Sequence, residues 1–193
     1  MFTSNRDGNF DLYAVKASGL GLRQLTFTRG SVRNFEPQWS RDGRTILFTR
    51  SGLSATNVPQ AHLYLLKLGS GAVTQLTRSP ADRGAGDQSP AWSPNGTRIA
   101  FSSDRMGSND IYVMSSDGSN LRRLTTKLSN DNHPTWAPDS RSLAFLSDRT
   151  GATEIFTLSA ATKEPRQLTF DRAVKSDPTW QRFSPIPNTG IAR

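Results

Sequence analysis

The chain has 193 residues, of which 34% are apolar, and it contains no cysteine, so one domain or one repeat array is expected and disulfides and thiolate metal sites are excluded. The formal net charge is +8, but basic residues are spread along the chain beside many Asp residues, which argues against the gathered patch of a specific nucleic-acid-binding protein. No apolar run exceeds four residues, and insertion into a membrane is therefore not expected.

Four short segments recur along the chain, and we call them strands A, B, C and D of one repeat. The first repeat starts inside strand B at Phe2 and continues with strand C at residues 12–14 and strand D at residues 25–26. The next three repeats are complete, with strand A in a sequence x-Pro-x-Trp: residues 36–40, 46–48, 63–65 and 76–77; residues 89–93, 99–101, 111–113 and 124–125; residues 133–137, 143–145, 155–157 and 168–169. A last copy of strand A alone contains Trp180.

These recurring segments predict β-structure. They are rich in β-branched and aromatic residues, and turn sequences such as residues 41–43, 94–96 and 116–118 separate them. No segment has a sustained apolar period of 3.6 residues, so helices are not expected. Four strands in roughly 40–45 residues are typical of a propeller blade. We therefore predict an all-β fold, a β-propeller of four four-stranded blade-equivalents.

The third repeat carries a family resemblance. Residues 91–105, followed by residues 110–114, Asp117-Gly118 and Leu124-Thr125, resemble the WD-repeat-like blade of TolB-type propellers, and the chain is similar to their C-terminal part up to about Trp180. TolB-like propellers act as interaction platforms in the cell envelope, so the resemblance implies a protein partner and a periplasmic or other extracytoplasmic location. It is more specific for fold than for function, because many unrelated proteins use such blades.

The repeats predict a propeller over residues 1–181 and a flexible tail over residues 182–193. Strands B to D of the first blade occupy residues 1–26, and complete blades occupy residues 34–77, 87–125 and 131–169. A closing strand A at residues 177–181 could pair with the first blade, because ring closure removes free sheet edges. An open arc that pairs with a second copy is the alternative, and the closed monomer is favoured over the homodimer.

Loop lengths vary at only one end of the predicted blades. The A–B and C–D connections are constant, whereas the B–C and D–A connections vary, and the B–C connection of the second repeat is five residues longer than the others. In an antiparallel meander the two variable classes lie at the same end, and variable loops are where function concentrates. We therefore predict a non-catalytic binding or scaffolding protein whose variable-loop face engages a protein partner, with these contact residues in the long connection: Arg50, Ser54, Asn57 and His62.

Acidic and imidazole side chains occur just before each strand A. Because the innermost strands of a propeller line its channel, we expect these side chains at the channel mouth, where they could bind a divalent cation. They are Glu36, Asp87, Asp131, His133 and Asp177. Capping of turns and hydrogen bonding to loop backbone is the structural alternative, and Lys175 in the last copy weakens a symmetric metal ring.

The alternative function is a metal-dependent enzyme, lyase- or lactonase-like, with its site at the channel mouth. It is not favoured, because the chain has only two histidines and no Gly-x-Ser-x-Gly sequence. We therefore expect no catalytic residues, and no cofactor beyond the divalent cation considered above. The pairs Asp104-Arg105 and Asp148-Arg149 follow strand B in successive repeats, which indicates a structural role, with each arginine bridging adjacent blades.

Overall fold

The structure is a computed structural model that describes residues 1–54, 56–78, 86–161 and 164–180. Its described residues form β-strands, turns and bends but no helix. The described part of the chain accordingly offers no helix capable of crossing a bilayer. The predicted all-β, propeller-type architecture is confirmed.

Fifteen described strands form four antiparallel sheets, one for each repeat, and strand order within each sheet follows the chain. The first blade has three strands, because it lacks strand A, and the other three blades have four. The first two blades contain β1 (Phe2–Ser4), β2 (Asp11–Ala14) and β3 (Arg23–Gln24), then β4 (Arg33–Trp39), β5 (Thr45–Leu53), β6 (Pro59–Lys67) and β7 (Val73–Gln75). The third and fourth contain β8 (Asp87–Trp92), β9 (Arg98–Ser103), β10 (Asp110–Ser115) and β11 (Arg122–Arg123), then β12 (Asp131–Trp136), β13 (Ser142–Ser147), β14 (Glu154–Ser159) and β15 (Arg166–Gln167).

A stacked aromatic pair joins strands B and C in every blade, which explains why these residue types recur. The pairs are Phe2–Tyr13, Phe48–Tyr64, Phe101–Tyr112 and Phe145–Phe156, with ring centroids 5.7–6.0 Å apart. A guanidinium lies over each pair, from Arg6, Arg50, Arg105 and Arg149 respectively. Cation–π attraction therefore adds to the apolar packing within each blade.

Consecutive blades share their apolar cores. Leu47 and Leu63 of the second blade pack in one cluster with Ile99 and Phe101 of the third, and all four side chains are fully buried. Each such side chain contributes roughly 1.5–3 kcal/mol through burial. The apolar core is therefore divided among the interfaces between consecutive blades. This division is consistent with an apolar content of 34%.

The Leu-Thr sequence, which directly follows the outermost strand of each blade (β3, β7, β11 and β15), has a hydrogen-bonding role. In each blade its threonine hydroxyl accepts a hydrogen bond of 2.9–3.0 Å from a main-chain N–H of strand C. In three blades the same hydroxyl donates to the acidic residue at the start of strand C, which is Asp11, Asp110 or Glu154. His62 occupies this place in the second blade. The threonine thus fixes strand D against strand C without exposing unpaired polar groups.

The expected closing pairing is not found in the described residues. β1 pairs with β2 alone, and no strand of the first blade contacts a strand of the fourth among the described residues. The segment that ends at Trp180 instead lies against the fourth blade, where the Trp180 indole donates to the carbonyl of Thr135 at 3.2 Å. Trp136 donates in the same way to Ala91 of the preceding blade. The segment around Trp180, which is not assigned as a strand in the described part of the chain, thus packs on the fourth blade as strand A of the fourth blade packs on the third.

Residues 181–193, including the predicted tail at 182–193, lie outside the described residues. The expectation of a monomer depended on ring closure and stays a prediction.

Candidate functional site

The residue before each strand-A proline has an unusual backbone conformation. Glu36, Ser89, His133 and Asp177 all have positive φ, between 42° and 52°, which is uncommon for residues other than glycine. At the first three positions the ladder with strand B shifts register around the x-Pro pair. A proline cannot donate to the ladder, and a bulge removes it from the pairing. The residue before the proline therefore turns its side chain out of the innermost strand, whichever residue type it is.

These four residues line one pocket at the axis of the blades. The pocket has a volume of about 310 Å³, and its wall also contains Gln38 and the prolines of the last three copies. The His133 and Asp177 side chains are 46% and 81% exposed, and His133 Nε2 lies 3.8 Å from Asp177 Oδ1. Glu36, His133 and Asp177 of the predicted channel mouth are thus brought to a common pocket.

Glu36 is already engaged by the protein. Its carboxylate accepts hydrogen bonds from the Thr49 hydroxyl at 2.7 Å, from the Ser89 main-chain N–H at 2.7 Å and from the Ser89 hydroxyl at 3.2 Å. Glu36 therefore ties the second blade to the bulge of the third, and the freer polar groups of the pocket are His133 and Asp177.

The structure places Asp87 and Asp131 elsewhere, which corrects the prediction that they line the channel mouth. Both carboxylates are fully buried and are not part of the axial pocket wall. Asp87 accepts from Arg105 at 2.6 Å and Asp131 accepts from Arg149 at 2.8 Å. Each arginine therefore bridges strands A and B of its own blade, not adjacent blades. Burial acts to raise the pKa of Asp87, but the neighbouring His62 imidazole and Arg105 guanidinium outweigh it and hold that pKa below its ordinary value.

A metal centre is not formed by the residues predicted to hold one. Within the described ranges no three histidine or acidic side chains come together in a geometry that could hold an ion. The physical reason is that Asp87 and Asp131 are held within their blades, while Glu36 is occupied by hydrogen-bond donors. The axial pocket can instead offer hydrogen bonds and one exposed carboxylate to a polar ligand.

The long B–C connection of the second blade is a regular hairpin, because β5 and β6 are longer than the equivalent strands of the other blades. Arg50 is half-buried, stacks on Phe48 and Tyr64, and donates from Nε to Asn34 at 2.9 Å. His62 pairs with Arg50 across the ladder, and its Nδ1 lies 3.7 Å from Asp87. Arg50 therefore stabilises its own blade, and His62 lies at the interface with the third blade.

Ser54 and Asn57 form the tip of this hairpin. The Asn57 N–H donates to the Ser54 carbonyl at 2.9 Å, the Val58 N–H donates to the Ser54 hydroxyl at 3.1 Å, and Asn57 has a φ of 62°. Asn57 and the nearby Leu53 are exposed. Of the four predicted contact residues, the tip pair is accessible to a partner and the strand pair is largely internal.

Sequence reasoning did not single out Ser89 and Gln38, which line the axial pocket. The available signal was repeat position: Ser89 aligns with Glu36, His133 and Asp177 immediately before the strand-A proline. Asn34, Asp87, Asp131 and Lys175 align with one another two residues earlier. The prediction treated these two repeat positions as one cluster. The position next to the proline lines the pocket, whereas Asn34, Asp87 and Asp131 at the earlier position are buried inside their blades.

Comparisons with known proteins agree with this architecture. The family model described as TolB beta propeller domain matches residues 59–184. The Tol-Pal system protein TolB of Anaeromyxobacter dehalogenans (strain 2CP-C) is 34% identical over 121 residues, which cover 62% of this chain and 25% of that protein. The chain thus spans about a quarter of the length of the curated TolB relatives that it matches.

Two solved structures illustrate the range of proteins that share the fold. The putative TolB from Agrobacterium tumefaciens superimposes with a TM-score of 0.69 at 22% identity, over 86% of this chain and 58% of that one. A puromycin-hydrolyzing peptidase of Mycobacterium tuberculosis gives a TM-score of 0.63 at 19% identity, over 82% of this chain and 27% of that one. At these identities the two structures show the fold alone.

The family match covers strands β6 and β7 of the second blade, both following blades and the last x-Pro-x-Trp copy. These elements carry two of the four aromatic stacks, two of the three strand-A bulges and most of the axial pocket. The resemblance inferred from the third repeat is therefore confirmed, and the chain belongs to the TolB β-propeller domain family.

Proposed function

We propose that this chain is a non-catalytic binding module that engages a protein partner through the end of the blades bearing its variable loops. The observation that carries the proposal is the axial pocket, whose wall presents Glu36, Ser89, His133 and Asp177 from one repeated backbone conformation. The scaffold is constant at these positions while the side chain differs in every copy. Such an arrangement suits recognition, which needs different groups held in fixed places.

The surroundings of the pocket support contact with an extended polar surface. Exposed His133 and Asp177 offer hydrogen bonds and a negative charge, and Gln38 is also exposed. Clefts of about 240 and 400 Å³ flank the second-blade hairpin, and both include the exposed apolar side chain of Leu53. An apolar anchor beside polar groups is typical of protein interfaces.

The TolB relatives are named as Tol-Pal system proteins, so the first partner to test is the Pal component of such a system. Binding is measured by calorimetry with the wild-type chain and with a His133→Ala/Asp177→Ala variant. We expect the double variant to bind at least about tenfold more weakly, as the loss of two polar contacts at an interface implies.

The matched control is Lys67→Ala. Lys67 is exposed at the end of β6 opposite the variable loops, so its substitution should leave the affinity for the partner unchanged. Equal binding by the wild type and the double variant would remove the axial pocket from the interface. No binding of any Tol-Pal component by the wild type would leave the partner assignment without support.

The puromycin-hydrolyzing peptidase has the same fold, so peptide hydrolysis is the alternative function to test. Incubation of the purified chain with aminoacyl arylamides, with and without added divalent cations, measures hydrolysis directly. We expect no release of arylamine above background, because the chain has only two histidines and no Gly-x-Ser-x-Gly sequence to supply an activated serine. Hydrolysis that is lost on substitution of either histidine would overturn the non-catalytic assignment.

A further inference from the structure

A second pocket lies between the second and third blades, at the end carrying the A–B and C–D turns. Its volume is about 550 Å³, and its wall includes Asp42, Thr45, Trp92 and Gly96. None of these residues belongs to the axial pocket. The site is therefore independent of the function proposed above.

The next blade interface shows what fills the equivalent space. There the Arg98 guanidinium lies 4.7 Å from the centroid of the Trp136 ring and donates a hydrogen bond to the carbonyl of Ser140. Arg98 belongs to strand B of the third blade, whereas Trp136 and Ser140 belong to the fourth. An arginine of one blade thus covers the tryptophan of its neighbour.

The repeat aligns these groups with the lining of the second pocket. Counted from the strand-B phenylalanine, Thr45 takes the place of Arg98, while Trp92 and Gly96 take the places of Trp136 and Ser140. The side chain of Thr45 is too short to reach across the indole ring. The pocket is therefore the space that an arginine occupies one blade further along.

The tryptophan at this interface is also held differently. Trp136 donates from its indole nitrogen to a main-chain carbonyl at 3.2 Å, whereas the buried indole nitrogen of Trp92 has no acceptor among the described residues. Burial of a donor without a partner is costly. The indole of Trp92 is thus fixed mainly by packing, on an interface that lacks its covering side chain.

A carboxylate stands at the edge of this pocket. Asp42 is exposed, and its Oδ1 accepts hydrogen bonds from the Ser40 hydroxyl at 2.6 Å and the Arg44 N–H at 3.1 Å. These hydrogen bonds, the Ser40 one first, lower the pKa of Asp42, so the group is negative at neutral pH. Arg41 also lies on the rim and opposes a cation there, which limits affinity.

We propose that this pocket binds an arginine side chain of a partner protein, with the guanidinium stacked on Trp92, hydrogen-bonded to the carbonyl of Gly96 and neutralised by Asp42. The protein's own Arg98–Trp136–Ser140 contact is the template for this geometry. A planar fork that stacks on an aromatic ring while donating in its plane distinguishes arginine from lysine.

The test uses capped tripeptides Gly-Arg-Gly, Gly-citrulline-Gly and Gly-Glu-Gly, titrated into the ¹⁵N-labelled full chain. The indole resonance of Trp92 is assigned with a Trp92→Phe variant and followed by NMR. We expect a saturable shift with the arginine peptide and at least about fivefold weaker binding of the neutral citrulline peptide, the factor that corresponds to one exposed cation–π contact.

Substitutions at Thr45 provide the matched pair. Thr45→Arg restores the covering side chain and should abolish the shift, whereas Thr45→Val keeps the pocket open and should retain it. Thr45 takes part in hydrogen bonds through its main chain, so neither change removes a known side-chain contact. Asp42→Asn should weaken binding, and Arg41→Ser should leave it unchanged or strengthen it.

The proposal is overturned if the arginine peptide gives no saturable shift, if citrulline binds equally well, or if binding survives in Thr45→Arg. Tighter binding of the glutamate peptide would identify the pocket as an anion site governed by Arg41, which also overturns it.

Discussion

Replacing Asp131 by alanine tests whether this carboxylate has a structural role or binds a metal ion. Asp131 is fully buried and accepts a hydrogen bond of 2.8 Å from Arg149, whose side chain is only 7% exposed. A hydroxyl of Ser129 donates to the same carboxylate at 3.2 Å. The substitution leaves a buried guanidinium without its anionic partner, which is the costly case for a buried ion pair.

The expected loss is about 3 kcal/mol, the lower end of the range for breaking a buried pair. The lower end applies because Arg149 keeps other contacts. Its Nε still donates to Ser147 at 2.8 Å, and its guanidinium still lies 4.8 Å from the ring centroid of Phe156. In a chain of this length the loss corresponds to a fall in Tm of roughly 6–12 °C.

Urea unfolding of wild type and variant, each with and without EDTA, measures the effect. His133→Ala is the matched control, because His133 lies two residues along the same strand and was predicted to share the same site. Its side chain is 46% exposed, so we expect a change within about 0.5 kcal/mol. EDTA should alter none of the three proteins.

The reasoning is refuted if Asp131→Ala costs less than about 1 kcal/mol, the worth of one ordinary hydrogen bond. It is equally refuted if EDTA destabilises the wild type by the amount that the substitution does, because Asp131 would then act through a bound ion.

Three further predictions concern single contacts. Burial raises the pKa of Asp110 above its ordinary value despite the nearby Arg123. Ionisation of Asp110 therefore costs stability of the folded state as the pH rises above the ordinary pKa of an aspartate. Relative to wild type, Asp110→Asn should gain stability between pH 3 and pH 6, measured by urea unfolding at each pH. Gly118→Ala should lose about 1–3 kcal/mol in the same assay, because φ is 89° and the new Cβ would lie 3.0 Å from Leu76. Trp180→Phe removes the hydrogen bond to the fourth blade and should cost about 1 kcal/mol, which thermal unfolding detects; an unchanged Tm would mean that the last segment is not docked.

The blade architecture could be predicted from the sequence because its determinants are local and repeated. Each Phe of strand B stacks on an aromatic residue of strand C, and the threonine of each Leu-Thr follows that aromatic residue by 13 positions and supplies the hydroxyl that fixes strand D. Such signals need no knowledge of distant contacts. Ring closure could not be predicted in this way, because it depends on the angle between blades, which no single repeat encodes.

The candidate site was predicted only in part, and the bulge in strand A explains why. In a regular strand, Asp131 and His133 are two residues apart and share a face. The positive φ of His133 breaks this alternation and turns its side chain to the axial pocket, while Asp131 stays in the blade with Arg149. A bulge of this kind cannot be recognised from residue type alone, since Glu, Ser, His and Asp all occupy the position.

Loop length was also an incomplete guide to binding surfaces. The A–B connections have constant length, yet the pocket over Trp92 lies at that end because one repeat has Thr45 where the next has Arg98. This difference is visible in the aligned repeats, but it concerns a side chain on a regular strand. Comparison of repeats residue by residue, in addition to their lengths, would have found it.

The left-handed residue before each strand-A proline has a consequence for how such a protein can change. Four unrelated side chains already occupy this conformation, so its backbone cost is common to all of them and the blade does not require any particular one. A single substitution at His133, whose side chain is 46% exposed, would replace one group on the pocket wall while the aromatic stacks and ion pairs behind it remain untouched. Ligand preference can therefore be altered one blade at a time, by evolution or by design, with little penalty in stability.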